Sequence, residues 1–183
     1  PYDNAGVISG QGTTGIEIVH QSTDLGLEPD MVLVPCGGGG LTAGVSLTMK
    51  SLSPKTLVVT VEPERFDDHA RSFRSGHREH NAAKSGSVCD ALLANAPGAM
   101  TFEVNRSRVS GGVAVSDAEA LAAVAFAWRE LKLVVEPGGA VALAAVLSGK
   151  VETKGRTIAV ILSGGNTDPE IFARALSGMA GAA

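Results

Sequence analysis

The stretch Met31-Val32-Leu33-Val34-Pro35-Cys36-Gly37-Gly38-Gly39-Gly40-Leu41-Thr42-Ala43 decides the fold of this chain. Its apolar first part predicts a buried parallel strand, and the amphipathic stretch that continues to about Leu52 predicts a helix. The four glycines form a loop whose backbone N–H groups lie at the positive end of that helix. Such a loop suits a phosphate group, because glycines accept left-handed dihedrals and let an anion approach the backbone closely.

Composition limits the classes of protein to which the chain can belong. Its 183 residues are 44% hydrophobic and 19% charged, which indicates a globular domain and not a disordered segment. The 15 basic and 19 acidic residues argue against nucleic acid or an anionic membrane as the main partner. No apolar run approaches the length of a membrane span. Cys36 and Cys89 lie in no metal-type spacing, which favours free thiols and a reducing, cytoplasmic location.

Predicted strands and helices alternate along the chain. This alternation predicts an α/β fold with an open, mostly parallel, twisted sheet and helices on both faces. The predicted strands are 31–36, 56–61, 113–115 and 156–162. The predicted helices are 13–21, 41–52, 116–132, 137–149 and a last one that starts at Asp168. The stretch 64–112 shows no regular pattern.

Three predicted strands are followed by residues with unusual chemistry: the glycines after Cys36, the carboxylate of Glu62, and Ser163. Ligands of open α/β sheets bind at the carboxyl ends of the strands, so we expect these residues to share one crevice. The segment 38–43 also fits the G-x-G-x-x-[GA] pattern of dinucleotide-binding enzymes, with Glu62 placed to bind a ribose. A nucleotide-dependent oxidoreductase and a non-catalytic module that binds a phosphate ligand are therefore alternatives.

Five short motifs follow one another in a specific order. They are Gly10-Gln11-Gly12-Thr13, Pro35-Cys36-Gly37-Gly38-Gly39-Gly40-Leu41, Val61-Glu62-Pro63, Val135-Glu136-Pro137-Gly138-Gly139-Ala140 and Leu162-Ser163-Gly164-Gly165-Asn166. Together they closely resemble the carboxyl-terminal part of the serine/threonine dehydratases and serine racemases, which are pyridoxal-phosphate (PLP) enzymes of fold type II, the tryptophan-synthase-β type. The resemblance covers residues 1–176, the later portion of the PLP-binding large domain. Residues 177–183 are expected to be a frayed tail.

The resemblance implies roles for individual residues. The 5′-phosphate of PLP would be held by backbone amides, those of Gly37, Gly38, Gly39, Gly40 and Leu41. The hydroxyl of Ser163 would meet the pyridine nitrogen, and Glu136 would lie close to the substrate. A neutral hydroxyl makes the ring a weaker electron sink than a carboxylate would, which favours loss of a β-hydroxyl over transamination.

The resemblance also implies a metal site. Glu62, Phe66 and Asp68 lie at the offsets where metal-dependent members of the family bind Mg²⁺, Ca²⁺ or Mn²⁺, and two carboxylates with one carbonyl supply oxygen ligands. The alternative is that Asp67 and Asp68 only begin a helix, where carboxylates complement the helix dipole. The histidines of this stretch are expected to face solvent: His69, His77 and His80.

PLP chemistry needs a lysine that forms a Schiff base with the cofactor. The lysines of this chain are Lys50, Lys55, Lys84, Lys132, Lys150 and Lys154. None lies in the Ser-x-Lys-x-Arg segment of the resembled enzymes, which is nearer the amino terminus. We therefore expect that an amino-terminal segment, absent from this chain, carries that lysine, the small domain and the site for the substrate carboxylate. The chain alone is then expected to be inactive.

The implied activity of the intact enzyme is that of a PLP-dependent ammonia-lyase. It would take threonine or serine, remove the β-hydroxyl and release a 2-oxo acid and ammonia. Serine racemase and 3-hydroxyaspartate dehydratase remain alternatives, because they share the same chemistry. Since the resembled enzymes are commonly dimers or tetramers, a homo-oligomer is expected.

Overall fold

The computed structural model describes residues 2–178. Its four strands form one parallel sheet in the order β3-β2-β1-β4. The strands are β1 (Met31–Pro35), β2 (Leu57–Pro63), β3 (Gly111–Val115) and β4 (Ile158–Val160). The predicted α/β class with a parallel sheet is confirmed.

Seven α-helices surround the sheet within the described range. They are α1 (Ala5–Asp24), α2 (Gly40–Leu52), α3 (Asp68–Ser75), α4 (Ala99–Asn105), α5 (Asp117–Phe126), α6 (Pro137–Leu147) and α7 (Pro169–Ser177). A 3₁₀ turn spans Asp90–Leu92, and a π-helical turn, Ala127–Leu131, continues α5. None of the helices in residues 2–178 is long and apolar enough to cross a membrane. The predicted frayed tail begins at Ser177, the last residue of α7, and its positions 179–183 lie outside the described residues.

Strand β1 lies inside the sheet and every one of its residues is buried. Val32 and Val34 join one apolar cluster, which includes Val45 of α2. Leu33 points the other way into a second cluster, which includes Val141 of α6. Because successive strand residues face opposite sides, this continuous apolar run is what a strand covered on both faces requires.

Helix α1 packs closely on α2, and glycines make the approach possible. A Cβ on Gly15 would lie 2.7 Å from Cβ of Thr48. The hydroxyl of Thr48 donates a hydrogen bond of 2.9 Å to the carbonyl of Gly12. The motif 10–13 therefore belongs to a helix contact that fixes α2. Helix α1 starts at Ala5, earlier than predicted, because the Asn4 side chain accepts hydrogen bonds from the first amides of the helix.

Two helices lie in the stretch 64–112, so the prediction that it is irregular was wrong. Both are capped by acids that lie outside the helix itself. Glu62 accepts the first amides of α3, and Asp3 accepts the amides of Ala99, Met100 and Thr101 at the start of α4. Helices this short are marginal alone, so their stability depends on such tertiary contacts.

Candidate active site

The topology brings the three chemically unusual strand ends together. Strand β1 lies between β2 and β4, so the glycine loop 37–40 is flanked by the ends that carry Glu62 and Ser163. The backbone N–H of Cys36 donates to the carbonyl of Val61, and that of Ile161 donates to the carbonyl of Leu33. The three predicted strand ends therefore lie side by side along one edge of the sheet.

The glycine loop presents free amides at the start of α2. Gly39 is the residue before the helix, with φ of 91° and ψ of 5°, and no side chain caps the helix there. Within residues 2–178, the first amide of this turn that has a backbone acceptor is that of Ala43, which donates to the carbonyl of Gly39. The preceding amides are the unsatisfied donors that every helix start leaves, and the helix dipole adds positive potential to them.

Protein atoms crowd the space where side chains of the loop glycines would lie. A Cβ on Gly39 would lie 2.5 Å from Cε1 of His69, and one on Gly37 would lie 3.1 Å from Cα of Leu92. The ring of Tyr2 lies so close to Gly38 that a Cβ on Gly38 would overlap it. The loop is thus packed on its protein side, and its amides remain for a ligand.

Helix α4 holds the carbonyl groups of the same loop. The carbonyl of Gly38 accepts a hydrogen bond of 2.7 Å from the Thr101 hydroxyl. The carbonyl of Gly39 accepts one of 3.2 Å from the Asn105 side-chain amide. Because the carbonyls are bound to α4, the N–H groups of the loop keep a fixed direction. Thr101 and Asn105 are fully buried and were not identified from sequence, since their partners are about sixty residues away.

The turn after β4 is held by Glu136. The side chain of Glu136 accepts the backbone N–H of Asn166 at 3.0 Å, and its own N–H donates to the carbonyl of Gly164 at 3.0 Å. Ser163 itself is exposed. The structure thus brings the predicted Glu136 and the turn that carries Ser163 into contact at the start of α6.

A 3₁₀ turn connects the two halves of the site. Leu92 of this turn lies next to Gly37 and also next to Gly138, at the start of α6. A cavity of about 430 Å³ opens beside it, and Asp90, Glu136 and Asn166 are among the residues that line it. Of the predicted site residues, Glu136 therefore lines this cavity, together with Asn166 of the turn that carries Ser163.

The predicted metal site of Glu62, Phe66 and Asp68 is not supported. Both carboxylate oxygens of the fully buried Glu62 accept backbone amides of α3, from His69 and Ala70, at 2.8 Å each. Burial raises the pKa of Glu62, and the nearby Asp68 raises it further. No group of three His, Cys, Asp or Glu side chains within residues 2–178 could hold a metal ion.

The helix alternative for this segment holds instead. Helix α3 begins at Asp68 directly after Asp67, as carboxylates at a helix start favour. Asp68 Oδ1 accepts a 2.6 Å hydrogen bond from the Asn81 side-chain amide, and burial raises the pKa of Asp68 to about 6. Glu62 and Asp68 thus fix the start of α3, which lies behind the glycine loop.

The expectation that His69 faces solvent was wrong, whereas His77 and His80 are exposed. His69 is fully buried, and neither of its ring nitrogens has a hydrogen-bond partner in the described part of the chain. Burial lowers its pKa to about 4, so the ring is neutral near pH 7. The charged residues near His69 in the sequence favoured an exposed position. Only the fold shows that the ring faces Gly39.

Residues 1–164 match the family described as pyridoxal-phosphate dependent enzymes. The chain belongs to this family. Its fold is that of other PLP-dependent enzymes: the crystal structure of a T.th. threonine deaminase superposes with a TM-score of 0.86 at 42% identity, over 91% of this chain and 56% of that one.

Curated relatives point to the same branch of the PLP-dependent family. The L-threonine ammonia-lyase of Thermotoga maritima is 37% identical over 177 residues, which are 97% of this chain and 43% of that protein. The serine racemase of Dictyostelium discoideum is 35% identical over 180 residues, 97% of this chain and 54% of that protein. The chain thus spans about half the length of the curated relatives it matches.

The residues present fit the phosphate of PLP. Several amides at this helix start have no acceptor among residues 2–178, protein atoms crowd the Cα atoms of the loop, and α4 fixes its direction. Membership of a PLP-dependent family supports this ligand over the dinucleotide that the pattern 38–43 also allowed. Glu62 is moreover committed to the amides of α3, so it is not free to bind a ribose.

Proposed function

We propose that this chain is the carboxyl-terminal part of a PLP-dependent ammonia-lyase that acts on threonine or serine. The observation that carries the proposal is the glycine loop, whose amides are free while its carbonyls and Cα atoms are held by α3 and α4. Threonine ammonia-lyase and threonine deaminase are among its similar proteins. When bound, PLP supplies the electron sink for reactions at the substrate's α-carbon.

The residues of this chain bind and orient the cofactor. The backbone amides of Gly37, Gly38, Gly39, Gly40 and Leu41 would bind the phosphate. Their dipoles are fixed by α4 before the ligand arrives, so little reorganisation is needed on binding.

Ser163 and Glu136 would serve the other end of the cofactor. The Ser163 hydroxyl would bind the pyridine nitrogen without donating a full charge to it. Glu136 would fix the turn that carries Ser163, through its bonds to Gly164 and Asn166. Because Glu136 also lines the cavity, it would lie near the substrate.

We further propose that an amino-terminal segment of the same enzyme supplies the lysine that binds the cofactor aldehyde. The chain spans about half the length of its curated relatives, and no lysine lines the cavity described above. Two buried cysteines without a disulfide, Cys36 and Cys89, fit the reducing cytoplasm as its location. A homo-oligomer stays a prediction.

The lysine proposal is tested on the full-length protein. Borohydride would make the lysine–cofactor linkage permanent, and peptide mapping would then locate the labelled lysine. We expect the label outside residues 1–183. A label on one of the six lysines of this chain would overturn the proposal.

The activity is tested by following 2-oxo acid formation from threonine, serine and 3-hydroxyaspartate, and D-serine formation from L-serine. We expect the highest kcat/KM with threonine or serine. The β-hydroxyaspartate dehydratase of Paracoccus denitrificans is 39% identical over 168 residues, so preference for 3-hydroxyaspartate is the main competing outcome. No reaction with any of these amino acids would refute the lyase function.

A further inference from the structure

A buried imidazole supports the glycine loop from behind. The ring of His69 lies where a side chain of Gly39 would be: the Cβ position is 2.5 Å from its Cε1 and 2.7 Å from its Nε2. The exposed fraction of His69 is 0%. The ring therefore occupies the space into which the loop would otherwise relax.

The position of the ring is itself fixed. The backbone N–H of His69 donates to Glu62 Oε1 at the end of β2. Its ring packs on Phe73, one turn further along α3, with centroids 5.7 Å apart, and Phe73 stacks on Phe102 of α4. Sheet, α3 and α4 thus meet at this ring, and the same α4 binds the carbonyls of the loop.

The contact between ring and loop is one of packing. Neither ring nitrogen has a hydrogen-bond partner among residues 2–178, although both are buried. A buried polar atom without a partner is costly, and an apolar side chain at this place would avoid that cost. Burial lowers the pKa of the ring to about 4, which keeps the ring neutral near pH 7. The nearby backbone of Gly38 and Gly37 raises the pKa and so opposes part of this shift.

We propose that His69 is a positioning residue for the phosphate of the cofactor, which acts by filling the space behind Gly39. The proposal rests on the proposed binding of PLP by this loop. It assigns to His69 no contact with the cofactor. Without the ring, the loop can move away from the ligand, so its amides lose their fixed direction and the phosphate is bound more weakly.

The test uses the full-length apoprotein and two ligands, PLP and pyridoxal, which lacks the phosphate. The ratio of their dissociation constants measures the contribution of the phosphate site alone. For His69→Ala, we expect the preference for PLP to fall about tenfold, which is ~1.4 kcal/mol. For His69→Leu, which restores apolar volume and removes both unpartnered nitrogens, we expect most of the preference and an equal or higher Tm.

The control is Phe172→Leu, which alters a different aromatic pair, Phe172 with Trp128, that includes no residue of α3, α4 or the loop. It should lower Tm while it leaves the ratio unchanged. The inference is refuted if His69→Ala and Phe172→Leu give the same ratio, or if His69→Leu loses the preference as fully as His69→Ala does.

Two further outcomes are separable. If His69→Ala does not fold, His69→Val replaces it. We then expect a smaller loss of the preference for PLP, and an unchanged ratio of dissociation constants would count against the inference. If the unmodified protein has no preference for PLP over pyridoxal, the proposed phosphate site itself is wrong. A preference in the unmodified protein that survives in His69→Ala or His69→Val removes the role of His69 alone.

Discussion

The two ends of the site differ in how much of the fold holds them. At the phosphate end, β1 is buried throughout, α4 binds the loop carbonyls, and His69 backs Gly39. At the other end, β4 is half-buried and Ser163 is exposed, with its turn held by Glu136 and a few backbone bonds. Substitutions at the first end should therefore reduce both stability and cofactor affinity, whereas those at the second should change chemistry with little loss of stability.

The largest effect is expected from Gly39→Ala. The backbone of Gly39 is left-handed, with φ of +91°, which strains any residue that has a Cβ. The added Cβ would also lie 2.5 Å from Cε1 of His69. We expect the free energy of unfolding to fall by about 2–4 kcal/mol. We expect PLP to bind about a hundredfold more weakly, since the loop must move. Urea unfolding and fluorescence titration of the full-length protein measure the two quantities.

Gly26→Ala is the matched control, because Gly26 has φ of +69° with no atom within 4 Å of its Cβ position. It should cost about 1 kcal/mol for backbone strain and leave PLP affinity unchanged. If both variants weakened PLP binding equally, the crowded packing of the loop would not be what shapes the phosphate site.

The next largest effect concerns burial of charge at the phosphate end. Burial raises the pKa of Asp68 from 3.8 to about 6. The folded state thus holds this proton more tightly than the unfolded state does. The contribution of protonated Asp68 to the free energy of unfolding is therefore complete below about pH 4 and is lost as the pH rises through about 6. A shift of about two units corresponds to at most about 3 kcal/mol.

Asp68→Asn should remove this dependence, because the amide oxygen can still accept from Asn81. The difference in unfolding free energy between the variant and the unmodified protein should therefore grow in favour of the variant between about pH 4 and pH 7. Urea unfolding at several pH values measures it, with Asp24→Asn, an exposed acid of α1, as the control. Parallel pH profiles for all three proteins would show that Asp68 titrates as an ordinary exposed acid.

What the sequence could predict depended on local pattern. One stretch of chain contains three such patterns. Its apolar run predicts β1, its four glycines predict the loop, and its amphipathic pattern predicts α2. Likewise the start of α5 follows from Ser116 and Glu119, which form a capping box. These signals lie within a few residues of the structure they specify.

The supports of the phosphate site could not be predicted in this way. Helix α4 is capped by Asp3 and α3 by Glu62, and the loop is held by Thr101 and Asn105. The contacts of Asp3, Thr101 and Asn105 join residues more than sixty positions apart, so a single sequence contains no local signal for them. The carboxylates at 67–68 were a usable signal for α3, and His69, which follows them, faces inward because Glu62 holds its backbone.

A smaller effect is expected from Asn105→Ala. The variant loses the bond to the carbonyl of Gly39 and leaves the buried Ser46 hydroxyl with one acceptor fewer. We expect a loss of about 1–2 kcal/mol in stability and about tenfold weaker PLP binding. Thr56→Val, which removes a buried bond to Pro29 before the start of β2, is the control. It should cost similar stability and no PLP affinity; weaker PLP binding in Thr56→Val would mean that affinity follows global stability.

The smallest change in stability is expected from Ser163→Ala, at the exposed end of the site. Surface substitutions without a buried partner usually change the free energy of unfolding by less than about 0.5 kcal/mol. If the Ser163 hydroxyl binds the pyridine nitrogen, its loss should still lower kcat for 2-oxo acid formation about tenfold, since it removes one hydrogen bond at the reacting system. Ser51→Ala, an exposed serine at the far end of α2, should change neither quantity. If Ser163→Ala instead destabilised the protein as much as Asn105→Ala does, the two ends would be equally built into the fold, and the contrast between a rigid phosphate end and a lightly held ring end would fail.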